Sequence, residues 1–159
     1  MSRVTVRDIG WAAIKADAIK LSGWMIEAGL FEDSGSHDGV PLPQIGFWLN
    51  YGTEDIPARD WLGGGAEFIE RAALKQITAI VNRLGKLPDN PETLLKPVAK
   101  AVAEGIKSFA INHRWTPNAP STIKQKGFDW PLVDTGEMID KIEGRVKRYG
   151  RARGLLRRT

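Results

Sequence analysis

Asn90-Pro91-Glu92-Thr93-Leu94-Leu95-Lys96-Pro97-Val98-Ala99-Lys100-Ala101-Val102-Ala103-Glu104-Gly105-Ile106-Lys107-Ser108-Phe109 is the stretch on which the fold turns. Leu94, Leu95, Val98, Val102, Ile106 and Phe109 recur at steps of three and four and so form one apolar stripe on a helix. Asn90 supplies an N-cap and Pro91 a first-turn proline, so a long helix runs from here to about Asn112. Pro97 sits where its ring would press on the carbonyl of Thr93, so the helix either kinks there or begins near Lys96.

Upstream, Ile69, Ala73, Ile77, Ile80 and Leu84 repeat in the same way, which predicts a second long helix over 66–84 with Gly85 as its C-terminal cap. A further helix is expected over 7–21, where Ile9, Ala12, Ala13, Ala16 and Ile19 share a face. Trp24 to Phe31 is rich in large apolar groups and reads as a strand. At the other end of the chain Ile142, Gly144 and Val146 alternate with Lys141, Glu143, Arg145 and Lys147, so Ile139–Arg148 reads as a half-exposed strand. Residues 33–44, interrupted by Gly39, Pro41 and Pro43, are expected to be an exposed loop, and Ile45–Tyr51 is too short to assign. Ser121–Lys126 should make one or two helical turns ended by Gly127, and Asp134 should cap a short helix beginning after Thr135-Gly136. The sum is an α+β fold, two long helices packed on a small, mainly antiparallel sheet.

Composition fits one domain over residues 1–148, with a basic C-terminal arm over 149–159. A chain of 159 residues with 42% hydrophobic residues can bury roughly 68–70% of its unfolded surface. No apolar run approaches the roughly 20 residues of a membrane helix, and the N-terminus lacks a secretory pattern, so a soluble protein that folds in a cytoplasm is expected. Cysteine is absent, which excludes disulfides and thiolate metal sites, and the two histidines, His37 and His113, do not suggest a zinc cluster. From Arg145 onward there are seven basic residues and no acidic one, so the net +4 of the chain leaves residues 1–144 at −3. Such asymmetry marks either an arm that meets an anionic partner or a solvated tail.

Three motifs invite a catalytic reading. Leu132-Val133-Asp134-Thr135-Gly136 has the pattern of an aspartic-protease loop, in which paired carboxylates activate water. Only 25 residues follow Asp134, too few for the β-fold such a site needs, and Glu137 replaces the small residue expected next. Gly63-Gly64-Gly65 resembles a phosphate-binding loop, yet no Lys-Ser or Lys-Thr follows, and Glu67 and Glu70 would repel a phosphate. A flexible hinge ahead of the helix is the better expectation. His113, beside Trp115, has no serine, cysteine or acid arranged with it and reads as a loop histidine. No catalytic site and no cofactor is expected.

Two stretches read together carry a resemblance. The first is Leu49-Asn50-Tyr51-Gly52-Thr53-Glu54-Asp55-Ile56-Pro57-Ala58-Arg59-Asp60-Trp61-Leu62, followed by a long amphipathic helix. The second is Pro117-Asn118-Ala119-Pro120-Ser121-Thr122-Ile123-Lys124-Gln125-Lys126-Gly127, then Pro131-Leu132-Val133-Asp134-Thr135-Gly136-Glu137-Met138 and a terminal strand. In order and spacing they resemble the neck or tail-completion proteins that join head and tail in long-tailed bacteriophages, over about residues 23–148. The family usually shows Glu-Phe before the Gly-Thr pair and Pro-Phe after the arginine, where this chain has Asn50-Tyr51 and Asp60-Trp61. An aromatic is kept each time, but any salt bridge from the acid at position 50 is lost.

The resemblance implies a structural virion protein, assembled in the host cytoplasm, in which identical subunits form a six- or twelve-fold ring coaxial with the portal. Its partners would be neighbouring neck, head-completion and tail-terminator proteins, with genomic DNA passing through the channel. Trp48, Tyr51, Arg59 and Trp61 are then candidates for the subunit interface, because aromatics and arginine dominate interfaces. Trp48 could equally complete the monomer core, whereas Asp60 and Gly63 suggest that Trp61 is exposed. Arg148, Arg151, Arg153, Arg157 and Arg158 are candidates for contact with a neighbouring subunit or with DNA. The arm from Tyr149 is expected to be flexible in the free subunit. A non-specific DNA-binding protein is the alternative, although 66–84 offers only Arg71, Lys75 and Arg83 among acids and amides rather than a basic recognition face.

Overall fold

The computed structural model describes residues 16–17, 19–84 and 87–149. Its longest elements are the two helices read from the sequence, here α2 (Trp61–Leu84) and α3 (Glu92–Asn112). Between them and around them lie β1 (Trp24–Gly29), a 3-10 turn (Glu32–Ser34), the two-residue strands β2 (Ser36–His37) and β3 (Val40–Pro41), and α1 (Leu42–Tyr51). After α3 come α4 (Pro120–Lys126), α5 (Glu137–Asp140) and β4 (Glu143–Arg148). β1 pairs antiparallel with β4, Trp24 opposite Arg148 and Gly29 opposite Glu143. The fold is α+β: α3 lies on this small antiparallel sheet and α2 packs along α3.

α3 is the centre of the molecule because its stripe is continuous. Val98, Ala99, Ala103, Ile106 and Ala110 are all at most 2% exposed, and they divide the core between the sheet on one side and α2 on the other. Leu42, Trp61, Met138, Ile139 and Ile142 join the main cluster; Leu87, Leu94 and Leu95 build a second one against Trp24, Ile26 and Val146. The helix begins at Glu92 and continues through Pro97. Asn90 Oδ1 accepts from the backbone N–H of Glu92 at 3.1 Å, so asparagine does cap this end.

Glycine sets how closely the layers approach. A Cβ on Gly144 would lie 1.9 Å from the carbonyl oxygen of Ala99, so β4 touches α3 backbone to backbone. A Cβ on Gly64 would meet the Phe109 ring at 2.8 Å, one on Gly65 the Cα of Ile106 at 3.2 Å, and one on Gly105 the Ile69 side chain at 2.6 Å. The triple glycine is therefore inside α2, where it lets the two long helices close on each other. It is neither the hinge expected from the sequence nor a phosphate loop.

Several boundaries differ from expectation. Residues 33–44 are not an open loop: the β2–β3 hairpin forms, Ser34 is buried, and Leu42, 1% exposed, opens α1. The short apolar stretch 45–51 belongs to that helix. α2 starts five residues before the expected Ala66, and β4 starts at Glu143 because Ile139 falls in α5. Of the helix expected over 7–21, residues 16–17 and 19–21 are helical, and the rest lies outside the described residues. Gly85 and the arm beyond Tyr149 lie outside them as well. No helix among the described residues is long and apolar enough to cross a membrane.

Candidate interaction surface

The turn after α1 is dictated by Gly52, whose φ is +78° and whose Cβ would lie 2.8 Å from both Ala58 N and Ile56 O. Only glycine allows the chain to double back there. Thr53 N donates to Ile56 O at 2.9 Å, Thr53 Oγ1 accepts from Ile56 N at 3.1 Å, and Arg59 N donates to Leu49 O at 2.9 Å. This return sets two side chains at the start of α2. Asn50 Oδ1 accepts from Leu62 N at 3.0 Å and Asp60 Oδ1 from Gly63 N at 2.9 Å, satisfying two of the donors a helix start leaves unpaired. Asn50 therefore needs no ionic partner, and Asp60 is a helix cap.

Arg59 joins the two stretches that carry the resemblance. Its Nε and Nη2 donate to Thr116 O at 3.2 and 3.0 Å, and Nη2 also reaches Pro117 O and Asn118 Oδ1, each at 3.3 Å. Asn118 N in turn donates to Asp129 Oδ1 at 3.0 Å. Burial lowers the proton affinity of Arg59, and the charge of Asp129 opposes that shift. Nearby, Lys126 donates to the carbonyls of Trp130 and Val133 and so fixes the turn in which Leu132, buried, takes a φ of +64°. Burial lowers Lys126 too, with Asp134 acting the other way.

These contacts correct part of the expected interface. Trp61 is 2% exposed, its indole N–H donating to Gly46 O at 3.1 Å, and Arg59 is 3% exposed. Both belong to the monomer, because the polar neighbours that made Trp61 look exposed are the cap at Asp60 and the packing glycines. Trp48 is half-buried on α1. Tyr51 alone of the four is open, 66% exposed, and it stacks with Phe47, 59% exposed, at 4.7 Å between ring centroids. Phe47 was missed because its partnership with Tyr51, four residues on, appears only once 42–51 is known to be helical.

Beside Tyr51 lies an open cleft of about 310 Å³ between β1, α1, α2 and α3. Ile26, Ala28, Leu62, Ala66, Val102 and Ile106 make its walls apolar, and Asp60 stands at its edge. Residues 42–70 hold five acids, Glu54, Asp55, Asp60, Glu67 and Glu70, all exposed, and one cation, the buried Arg59. Among the residues that line the cleft, Asp60 is the one charged group and Tyr51 the one aromatic.

The basic end sits elsewhere. Arg148 is exposed, its guanidinium 5.1 Å from the centre of the Trp24 ring, while Arg151, Arg153, Arg157 and Arg158 lie outside the described residues. On the outer face of the sheet Arg145 bonds Asp33 at 2.5 Å and also Glu143, and Lys147 bonds Glu27 at 2.6 Å, so these charges are already paired.

Of the residues that invited catalysis, Gly64, Gly65 and His113 have packing roles. Asp134 is exposed and does not cap α5; the helix starts at Glu137 behind Gly136, whose φ is +86°, and Glu137 N donates to Thr135 Oγ1 at 3.3 Å. His113 stacks between Phe109 and Trp115, at 4.7 and 4.5 Å between centroids. No protein-family profile, curated protein or solved structure matches the chain.

Proposed function

We propose that this protein is a ring-forming structural subunit of the neck of a tailed bacteriophage, joining the portal and head-completion proteins to the tail and letting DNA pass. It acts by assembly and uses no catalytic group. One observation carries the reading: the two stretches that carry the family resemblance, 49–62 and 117–138, are locked to each other by the buried Arg59.

The helix α1 displays the Phe47–Tyr51 pair on the molecule's surface, with Tyr51 at an apolar cleft. Exposed aromatics beside an apolar concavity are the usual anchors of protein association. A ring with self-association at this face needs no cofactor and no titrating pair. Negative-stain imaging of the purified chain tests the reading: closed particles with a central hole and six- or twelve-fold symmetry are expected. Isolated globules at every concentration, with no label at the head–tail junction when an antibody to the chain is applied to virions, would reject it.

A further inference from the structure

Asp60 stands at the edge of the apolar cleft, Glu67 and Glu70 follow along the same helix, and the chain carries a segment of the opposite charge. Residues 150–159 read Gly150-Arg151-Ala152-Arg153-Gly154-Leu155-Leu156-Arg157-Arg158-Thr159, an apolar pair set among four arginines and no acid. We propose that the cleft receives this segment from a neighbouring copy of the chain, Leu155 and Leu156 entering between Leu62, Ala66 and Val102 while the arginines meet Asp60, Glu67 and Glu70. The inference rests on the ring reading above and names the contact that would build the ring.

Charge and shape both favour this occupant. Over residues 42–70 the exposed charges are five acids, with Arg71 the first exposed cation after them. Asp60 borders the cleft, and Glu67 and Glu70 continue at helical spacing from Gly63 along the same face of α2. The cleft walls are apolar enough to take two leucines but not a long helix, and a short extended segment suits a volume of about 310 Å³.

Direction favours a neighbour over the same chain. β4 begins opposite Gly29 and ends opposite Trp24, and Tyr149 N donates to Gly23 O at 2.6 Å, so the chain leaves the sheet beyond Ile26 and Ala28 and would have to turn back to reach its own cleft. Leu155 lies six residues beyond Tyr149, an extended reach of about 20 Å, long enough to cross to an adjacent subunit. An arm leaving one side and a cleft open on another make a head-to-tail contact, the kind that closes into rings when the rotation permits.

The absence of cysteine gives a clean test. The full chain carrying both Ala66→Cys and Leu156→Cys, mildly oxidised, should form a reducible ladder extending past the dimer, whereas either single variant stops at the dimer. In parallel, Leu155→Asp with Leu156→Asp should raise the concentration needed for assembly about a hundredfold or more, with the circular dichroism unchanged, since two buried leucines are lost from the contact. An intramolecular disulfide without a ladder would place the arm on its own cleft and overturn the proposal. Wild-type rings that survive the double aspartate change unaltered would overturn it while leaving the ring reading intact. A wild type that stays monomeric and gives no cross-link would defeat both. If the aspartate variant forms rings normally and the arginines are needed only to bind duplex DNA, the arm's partner is DNA and the cleft proposal fails.

Discussion

Replacing Gly144 by alanine probes the closest approach in the fold. The added Cβ would lie 1.9 Å from Ala99 O and 2.4 Å from its carbonyl carbon, where ordinary contact starts at 3.4 Å. The clash is with helix backbone, so no side chain can rotate away, and β4 and α3 must separate by about 1.5 Å if the strain is not absorbed locally. A gap of even 0.5–1 Å forfeits roughly a quarter to a half of each dispersion contact, and overpacked cores lose typically about 1–3 kcal/mol. Because the clash is between backbones and both core clusters touch α3, the expected cost is at the upper end, about 3 kcal/mol. For a chain of this size that lowers the melting temperature by roughly 6–12 °C. Gly136→Ala is the control: its φ of +86° carries a left-handed cost of about 1–2 kcal/mol, but no atom lies within 4 Å of the new Cβ. Thermal unfolding followed by circular dichroism, with urea titration for the free energies, measures both. A Gly144→Ala chain melting within about 2 °C of wild type would refute backbone contact between β4 and α3.

Trp61→Ala should destabilise the monomer by about 3–5 kcal/mol, since it empties a fully buried site and leaves Gly46 O without its donor; urea unfolding that moves by less than about 1 kcal/mol would return Trp61 to the surface. Asp134→Ala should shift stability by no more than about 0.5 kcal/mol, while Thr135→Ala, which removes the acceptor for Glu137 N, should cost about 0.5–1 kcal/mol; the reverse ranking in the same titration would restore the aspartate as the cap.

The long helices were legible because their apolar residues keep a helical period over about four turns, and β4 because its period is two. α1 was not, since Pro41 and Pro43 look like breakers; Pro43 falls in the first turn, where its missing N–H costs nothing. The start of α2 was hidden by Gly63-Gly64-Gly65, which local propensity reads as a break and which tertiary packing against Phe109 and Ile106 makes necessary. Arg59 could not be placed from sequence, because its acceptors are carbonyls at Thr116 and Pro117, 57 and 58 residues away. With Trp61 and Arg59 inside, Tyr51 is the one exposed residue of the four named from the sequence, and its exposed neighbour Phe47 was not named.

Native mass spectrometry of the full chain beside its Tyr51→Ala variant tests the central claim most directly. Ring assembly through the aromatic face predicts a wild-type species at six or twelve times the 17.6 kDa chain mass. Tyr51→Ala, at a side chain 66% exposed, should melt within about 0.5 kcal/mol of wild type yet shift that species toward monomer. A wild type found only at 17.6 kDa across the concentration range, or a ring population that Tyr51→Ala leaves unchanged, would contradict the account.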